Sequence, residues 1–205
     1  MKKMTEDRRT QKTRKALSAA LISLMREKSY ESIAVQEILD RADIGRSTFY
    51  THYRDKNELL VAGLQGLREF LQNAQETAAA TTNHSHEKVI GFSLAMFEHA
   101  HGHMDVFRSL VGGHGWTIVN RNLEEILVQL MKKTARPLYK KSAAPGIPFD
   151  LVIDFLGTTF IAVITWWSYY KKPISPKEIN TLFRALVIPT LTENLKAHGE
   201  RPEQS

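Results

Sequence analysis

The sequence predicts an all-α protein: an N-terminal three-helix domain carrying a helix-turn-helix, then a larger helical domain. Three observations predict it. Apolar residues recur at three- and four-residue spacing along most of the 205-residue chain. No run alternates apolar and polar residues as a half-buried strand does. Breaks fall at small polar, glycine and proline residues: Thr81 to Ser85, Gly112-Gly113, Pro145-Gly146 and Pro173 to Pro176. The length suits one or two domains and buries roughly 70% of the surface the unfolded chain would expose. Hydrophobic residues make up 42%, as in a soluble globular chain, and the absence of cysteine excludes a disulfide framework and a thiolate metal site.

The first helix is expected over 10–28. Leu17, Leu21 and Leu24 lie on one face, with Arg14 and Ser18 off it. Residues 1–15 carry seven basic residues against Glu6 and Asp7, so +5 of the chain's +6 sits there. A basic arm on a nearly neutral body points to a polyanion partner, nucleic acid or an anionic membrane; a solvated, disordered terminus is the plain alternative. The stretch is no signal peptide, because its basic region is long, contains acids and precedes no small-residue cleavage site.

Val35, Ile38, Leu39 and Ala42 give a second, short apolar face over about 33–42. Asp43-Ile44-Gly45 makes a turn, and a third helix follows over about 46–53. Two short helices joined by a three-residue turn form a helix-turn-helix. Phe49 and Tyr53, four apart, share a face that packs inward with Ile44. The opposite face carries Arg46, Ser47, Tyr50, Thr51 and Arg54, donors and acceptors suited to base edges and phosphates. Asp55-x-x-Glu58 has capping-box form and starts a fourth helix running to about 78. Further helices are expected over 86–101, 103–112, 115–137, 148–171 and 176–197. The most apolar run, residues 155–170, is short for a membrane span and follows Asp150 and Asp154, so a buried helix is expected and no membrane partner.

The run A-D-I-G-R-S-T-F-Y-T-H-Y-R-D-K-N-E-L-L, residues 42–60, resembles the DNA-binding domain of the TetR family of bacterial transcriptional regulators. Thr48, Tyr50, His52, Lys56 and a closing leucine fall in the family's register. The resemblance covers residues 10–60. Two positions depart from it. Asp43 stands where the family has glycine, and aspartate tolerates a left-handed backbone better than most residues. Ala34 stands where a threonine often caps the second helix; Ser32 is expected to cap instead.

The resemblance implies a division into residues 1–55, a helix-turn-helix DNA-binding domain with a basic arm, and 56–205, a helical effector-binding and dimerisation domain. It implies that Arg46, Ser47 and Thr51 enter the major groove, Arg46 suiting bidentate contact with guanine. Tyr50 and His52 match phosphate- or base-contacting positions, and Lys56 matches a phosphate-gripping one. Thr48 either touches the DNA backbone or caps its helix, and Gln36 is a further DNA-contact candidate. The implied partners are a double-stranded operator, a second copy of the chain and a small-molecule effector of unknown identity. Dimerisation would use residues 148–171 and 176–197, with Phe155, Phe160, Val163, Phe183, Leu186 and Leu191 divided between the interface and the core. The effector pocket would draw on Phe92, Met96, Phe97, Met104, Phe107, Trp116, Phe160 and Trp166, each of which also suits a plain helical core.

Other motifs lead elsewhere. His99 and His103, four apart, suit a metal if one helix holds both, with Glu98 or His114 as further ligands; Gly102 argues against it. This gives the alternative function, a small helical metal-dependent enzyme built around the histidines. Val111 to Trp116 reads as a helix break, not a phosphate loop, since no strand precedes it. Asp150 and Asp154 favour a helix N-terminus and have no nucleophile beside them. The expectation is therefore a cytoplasmic homodimeric repressor with no catalytic centre, metal or cofactor.

Overall fold

The computed structural model describes residues 2–139 and 147–195, with side chains from residue 8 onward. The side chains of Lys2, Lys3, Glu6 and Asp7, the expected break at Pro145-Gly146 and the end of the last helix expected at 197 lie outside the described residues. Among the described residues the regular structure is helical apart from one isolated bridge pairing Tyr139 with Leu195. The described residues form ten α-helices in order: α1 (Lys2–Glu27), α2 (Val35–Ala42), α3 (Arg46–His52), α4 (Lys56–Thr81), α5 (Ser85–Ile90), α6 (Ser93–Gly102), α7 (Met104–Leu110), α8 (His114–Ala135), α9 (Phe149–Tyr169) and α10 (Pro176–Asn194). A 3₁₀ turn, Tyr30–Ser32, joins α1 to α2.

Two compact units emerge: Met1–Gly66 with His103–Asn122, and Leu67–Gly102 with Leu123–Ser205. The division expected at 55/56 therefore differs from the compact one. The first unit keeps the opening of α4, because Leu59 and Leu60 are buried in its core, and it gains α7 and the start of α8 through Leu110 and Val119. Its centre is formed by Leu17, Leu21 and Leu24 of α1, Ile38 and Leu39 of α2, and Phe49 of α3, with Tyr30 and Tyr53 beside them.

The second unit has an aromatic centre. Phe97 stacks on Phe160 at 4.7 Å between ring centroids, and Phe183 meets Phe160 edge-on at 5.1 Å. The single helix expected over 86–101 is two helices. The side-chain amide of Gln75, buried on α4, donates to the Lys88 carbonyl and to the Val89 carbonyl at 2.8 Å, and its oxygen accepts the Phe92 N–H at 3.0 Å. Those bonds satisfy backbone groups that a continuous helix would have paired internally. Gly91 sits at the break because a Cβ there would lie 2.3 Å from the Ala78 side chain.

Candidate nucleic-acid interface

The helix-turn-helix is built from the inside outward. Phe49 is fully buried and Tyr53 nearly so, which fixes the roll of α3. The turn closes through Asp43, whose φ of 53° and ψ of 48° place it in the left-handed region. The expected tolerance of aspartate there is what the structure uses. α3 starts with Gly45 as its N-cap, so Thr48, in the third position of the helix, does not cap it.

The second helix begins differently from expectation. Ala34 is the N-cap and has no side-chain acceptor. Its N–H donates to the Glu37 carboxylate at 2.9 Å, which is half of a capping box. The Ser32 hydroxyl donates to the Ser29 carbonyl at 2.8 Å, closing the 3₁₀ turn, and so does not cap α2. Hydrogen bonding with Lys28 and with the Ala34 N–H holds the Glu37 carboxyl below its usual pKa. Behind this face, the Arg41 guanidinium grips Glu27 with two bonds of 2.7 and 2.9 Å and Ser23 with one of 2.7 Å, tying α2 to α1.

The outer face of α3 carries Arg46, Ser47, Thr48, Tyr50 and Thr51, all exposed, with His52 half-buried at its end. Tyr50 projects with 53% of its surface exposed, its ring edge-on to Phe49. Gln36 joins this surface from α2: its oxygen accepts from Arg46 Nη2 at 2.8 Å while its amide donates to Asp40 at 2.8 Å. Arg46 is thus held at the front of the motif with four of its five N–H groups still available. The Thr51 hydroxyl donates to the Ser47 carbonyl at 2.9 Å, which leaves its oxygen lone pairs and methyl group to face outward. Arg54 is exposed beyond the helix and pairs with Glu58 at 3.2 Å. Glu58 also accepts the Arg54 N–H, while Asp55 accepts from the Glu58 N–H at 2.9 Å and caps α4 as expected.

Lys56 departs from its expected role. Its ammonium donates to the carbonyls of Tyr30, Glu31 and Ile33 at 2.9, 3.1 and 2.8 Å. A lysine has three N–H donors, and all three are taken, so none remains for a phosphate. The ammonium also lies 4.6 Å from the centre of the Tyr30 ring, and desolvation lowers its pKa. Lys56 is a clamp on the connection before α2. Sequence reasoning missed the neighbours of that clamp. The Tyr30 hydroxyl donates to Asn57 at 2.6 Å, and the Glu31 carboxylate accepts the Gly115 N–H at 2.8 Å, at the start of α8. Only the Glu37 half-box had a signal in the sequence, a glutamate three residues after the cap.

The eight effector candidates are divided between the two units. Phe92, Met96 and Phe160 are buried in the second unit, where Phe92 and Phe160 pack at 5.7 Å. Phe107 and Trp116 meet edge-on at 5.0 Å in the first unit. Trp166 is exposed on an open apolar groove of about 790 Å³ along α9 and α10, lined also by Leu151, Phe155, Ala162, Val163, Leu182 and Leu186. The expected interface residues divide accordingly: Phe155, Val163 and Leu186 line the groove, whereas Phe160, Phe183 and Leu191 are core. At 21 residues, within the span expected over 148–171, and with a mean hydropathy of 1.6, α9 meets the length and composition of a membrane span. Its buried residues, from Phe149 to Ser168, pack within the second unit. Of the histidines, His99 belongs to α6 and packs on Phe70, whereas His103 precedes α7, so no single helix presents both. Among the described residues no three metal-ligating side chains lie together.

Comparison with known proteins agrees with this geometry. The pattern described as bacterial regulatory proteins of the tetR family matches residues 17–62, and a transcriptional regulator C-terminal region matches 87–188. The HTH-type transcriptional regulator YxbF of Bacillus subtilis is 42% identical over 60 residues, which are 29% of this chain and 16% of that protein. A TetR transcriptional regulator from Streptococcus agalactiae, solved by crystallography, is 25% identical and superposes with a TM-score of 0.62 over 90% of this chain and 98% of its own. RolR in complex with resorcinol is 18% identical, with a TM-score of 0.57 over 97% of this chain and 98% of its own. Proteins of this family bind DNA, regulate transcription and are generally not enzymes. With a TetR-type helix-turn-helix at 17–62 and a regulator's C-terminal region behind it, the chain belongs to the TetR family of bacterial transcriptional regulators.

Proposed function

We propose that the protein is a cytoplasmic, effector-responsive repressor that binds its operator as a homodimer. The observation that carries the reading is the polar outer face of α3 standing on a buried Phe49 and Tyr53. That face would enter the major groove, with Arg46 reading a guanine, Ser47 and Thr51 beside it, and Tyr50, Thr48 and His52 toward the flanking backbone. Gln36 holds Arg46 and so orients the reader. Two such helices must meet half-sites about one DNA turn apart, which calls for a second copy of the chain. The apolar groove of α9 and α10 supports that copy: Leu151 and Leu186 are each 57% exposed, and exposed apolar surface of this kind marks an interaction site.

An effector bound by the C-terminal part would change the spacing of the two reading helices and weaken the operator complex. By linkage, operator DNA must weaken effector binding by the same factor. A small, largely apolar effector suits the aromatic content of the chain between 92 and 170. The reading is tested by selecting duplex fragments from a random pool and titrating the selected operator across salt. Affinity should fall steeply with salt, and Arg46→Ala should relax one base per half-site at a cost of roughly 1–3 kcal/mol. Binding without salt dependence, or no duplex binding, would sink it. The metal-dependent enzyme is not favoured by any arrangement of the described histidines.

A further inference from the structure

We infer that Asp40 is a positioning residue for base recognition: through Gln36 it fixes which edge of the Arg46 guanidinium is left to read DNA. This rests on the assignment of Arg46 as the guanine reader in the function proposed above.

Gln36 and Asp40 are four apart on α2, so they share a face. The Gln36 amide nitrogen donates to Asp40 Oδ1 at 2.8 Å, and the Gln36 oxygen accepts from Arg46 Nη2 at 2.8 Å. A carboxylate accepts and cannot donate, whereas a guanidinium donates and cannot accept. The amide between them therefore has one workable orientation, nitrogen to Asp40 and oxygen to Arg46. Turned over, it would set donor against donor and acceptor against acceptor. With both ends engaged, Gln36 acts on Arg46 rather than on a base itself.

The consequence falls on the reader. A guanidinium has two forks of paired N–H groups, one formed by Nε and Nη2 and the other by Nη1 and Nη2. Both forks use Nη2, which carries one hydrogen for each. Gln36 takes one of those hydrogens, so a single fork stays whole for the O6 and N7 acceptors of guanine. Arg46 is exposed, and Gln36 is the one side chain it bonds among the described residues. Without that bond a long, solvated side chain would sample many rotamers before meeting a base.

The charge of Asp40 is the second observation. Its neighbours on α2 are spoken for: Glu37 pairs with Lys28, and Arg41 pairs with Glu27. Asp40 is exposed and pairs with no cation among the described residues. An unpaired carboxylate on the face that carries Gln36 repels DNA phosphates, so for affinity alone it is a disadvantage. A glutamine and an aspartate four apart also support a helix, but that support does not involve Arg46. The bond to Gln36 gives the carboxylate a use in discrimination that offsets its repulsion.

The test measures discrimination rather than affinity. The full chain and its variants Asp40→Ala, Gln36→Ala and the double variant are titrated with the selected operator and with the same duplex mutated at the guanine that Arg46→Ala no longer reads. A good arginine–guanine pair discriminates roughly 5- to 150-fold. Asp40→Ala should lose about 3- to 10-fold of that factor, at that base pair alone, and Gln36→Ala about as much. The double variant should lose no more than either single one, because both act through one amide. Asp40→Asn, whose oxygen can still accept from Gln36, should discriminate as wild type does although its charge is gone. Affinity of Asp40→Ala for an unselected duplex should hold or rise by up to about 5-fold as the repulsion is removed. All variants should unfold close to the wild-type midpoint, since the three side chains are exposed. Additive losses in the double variant would overturn the proposal, leaving helix support or charge as the role of Asp40. So would wild-type discrimination in Asp40→Ala, or a loss in Asp40→Asn as large as in Asp40→Ala. Unchanged discrimination in Arg46→Ala would instead overturn the choice of reader, and a wild type that binds no duplex would overturn the regulator reading beneath both.

Discussion

At the scale of single residues, the working parts of the motif are held by bonds that composition does not announce. Lys56 is the clearest case. Its register predicts a phosphate contact, whereas its ammonium sits on three carbonyls of residues 30 to 33. Lys56→Met should therefore act first on stability, lowering it by roughly 2–3 kcal/mol because partly buried carbonyls lose a charged donor. Urea unfolding measures that loss. Salt titration then separates the two roles: a clamp leaves the salt slope of operator binding as it was, whereas a lost phosphate contact reduces it by about one. Asp43 supplies a second case. An L residue at φ 53° carries steric strain that glycine lacks. Asp43→Gly should raise stability by up to about 1 kcal/mol, and a β-branched residue such as Val should lower it. An unchanged unfolding midpoint for both variants would mean that the turn is not held where it is described.

At the scale of elements, the sequence made the helices legible and their faces only partly so. Periodicity placed α2, α3, α8 and α10 within one or two residues of their starts, because each begins at a turn or cap with a chemical signature. It joined α5 to α6, since nothing local reveals that Gln75, on another helix, satisfies the carbonyls at the break. It also could not sort Phe155 from Phe160. The two are five residues apart on an apolar helix, and only packing from elsewhere in the chain, Phe97 and Phe183 against Phe160, decides which is core. The recognition face was legible because alternation of buried aromatic and exposed polar residues is a local property of α3; the bond from Gln36 to Arg46 was not, because it crosses between helices. The α5 end of the second unit has its own pH signature. Burial depresses the pKa of His86 below 6.5, with Arg184 and His84 adding to the effect and Glu87, 3.6 Å away, opposing it. The unfolded chain therefore takes up this proton first as pH falls. Stability from His86 is complete above 6.5 and is lost through the interval down to its depressed value. Replacing it, His86→Gln, should flatten the unfolding midpoint against pH on the acid side of 6.5; an identical slope in both proteins would assign the titration elsewhere.

At the scale of the whole molecule, DNA recognition and self-association are expected to be one linked equilibrium. A seven-residue α3 presents few base-reading side chains, and on the function proposed above specificity would come from two copies on a spaced pair of half-sites. The groove of α9 and α10 is the surface proposed for that pairing, and Leu186 is exposed at its rim while Phe183, one helical turn before it, is fully buried. The two positions therefore make opposite predictions. Phe183→Ala should destabilise the fold itself by about 3–5 kcal/mol, because it opens a cavity among Phe97 and Phe160. Leu186→Glu should leave helicity and unfolding nearly unchanged, since Leu186 is 57% exposed, but should place a charge in the apolar contact and dissociate the dimer. Sedimentation would then give a monomer at micromolar concentration where wild type gives a dimer. Operator affinity should fall steeply and become dependent on protein concentration, while binding to an isolated half-site should be the same for both proteins. If Leu186→Glu is monomeric yet binds the full operator as wild type does, the two half-sites are not being read through this surface. If wild type itself sediments as a monomer, the groove is not a site of self-association.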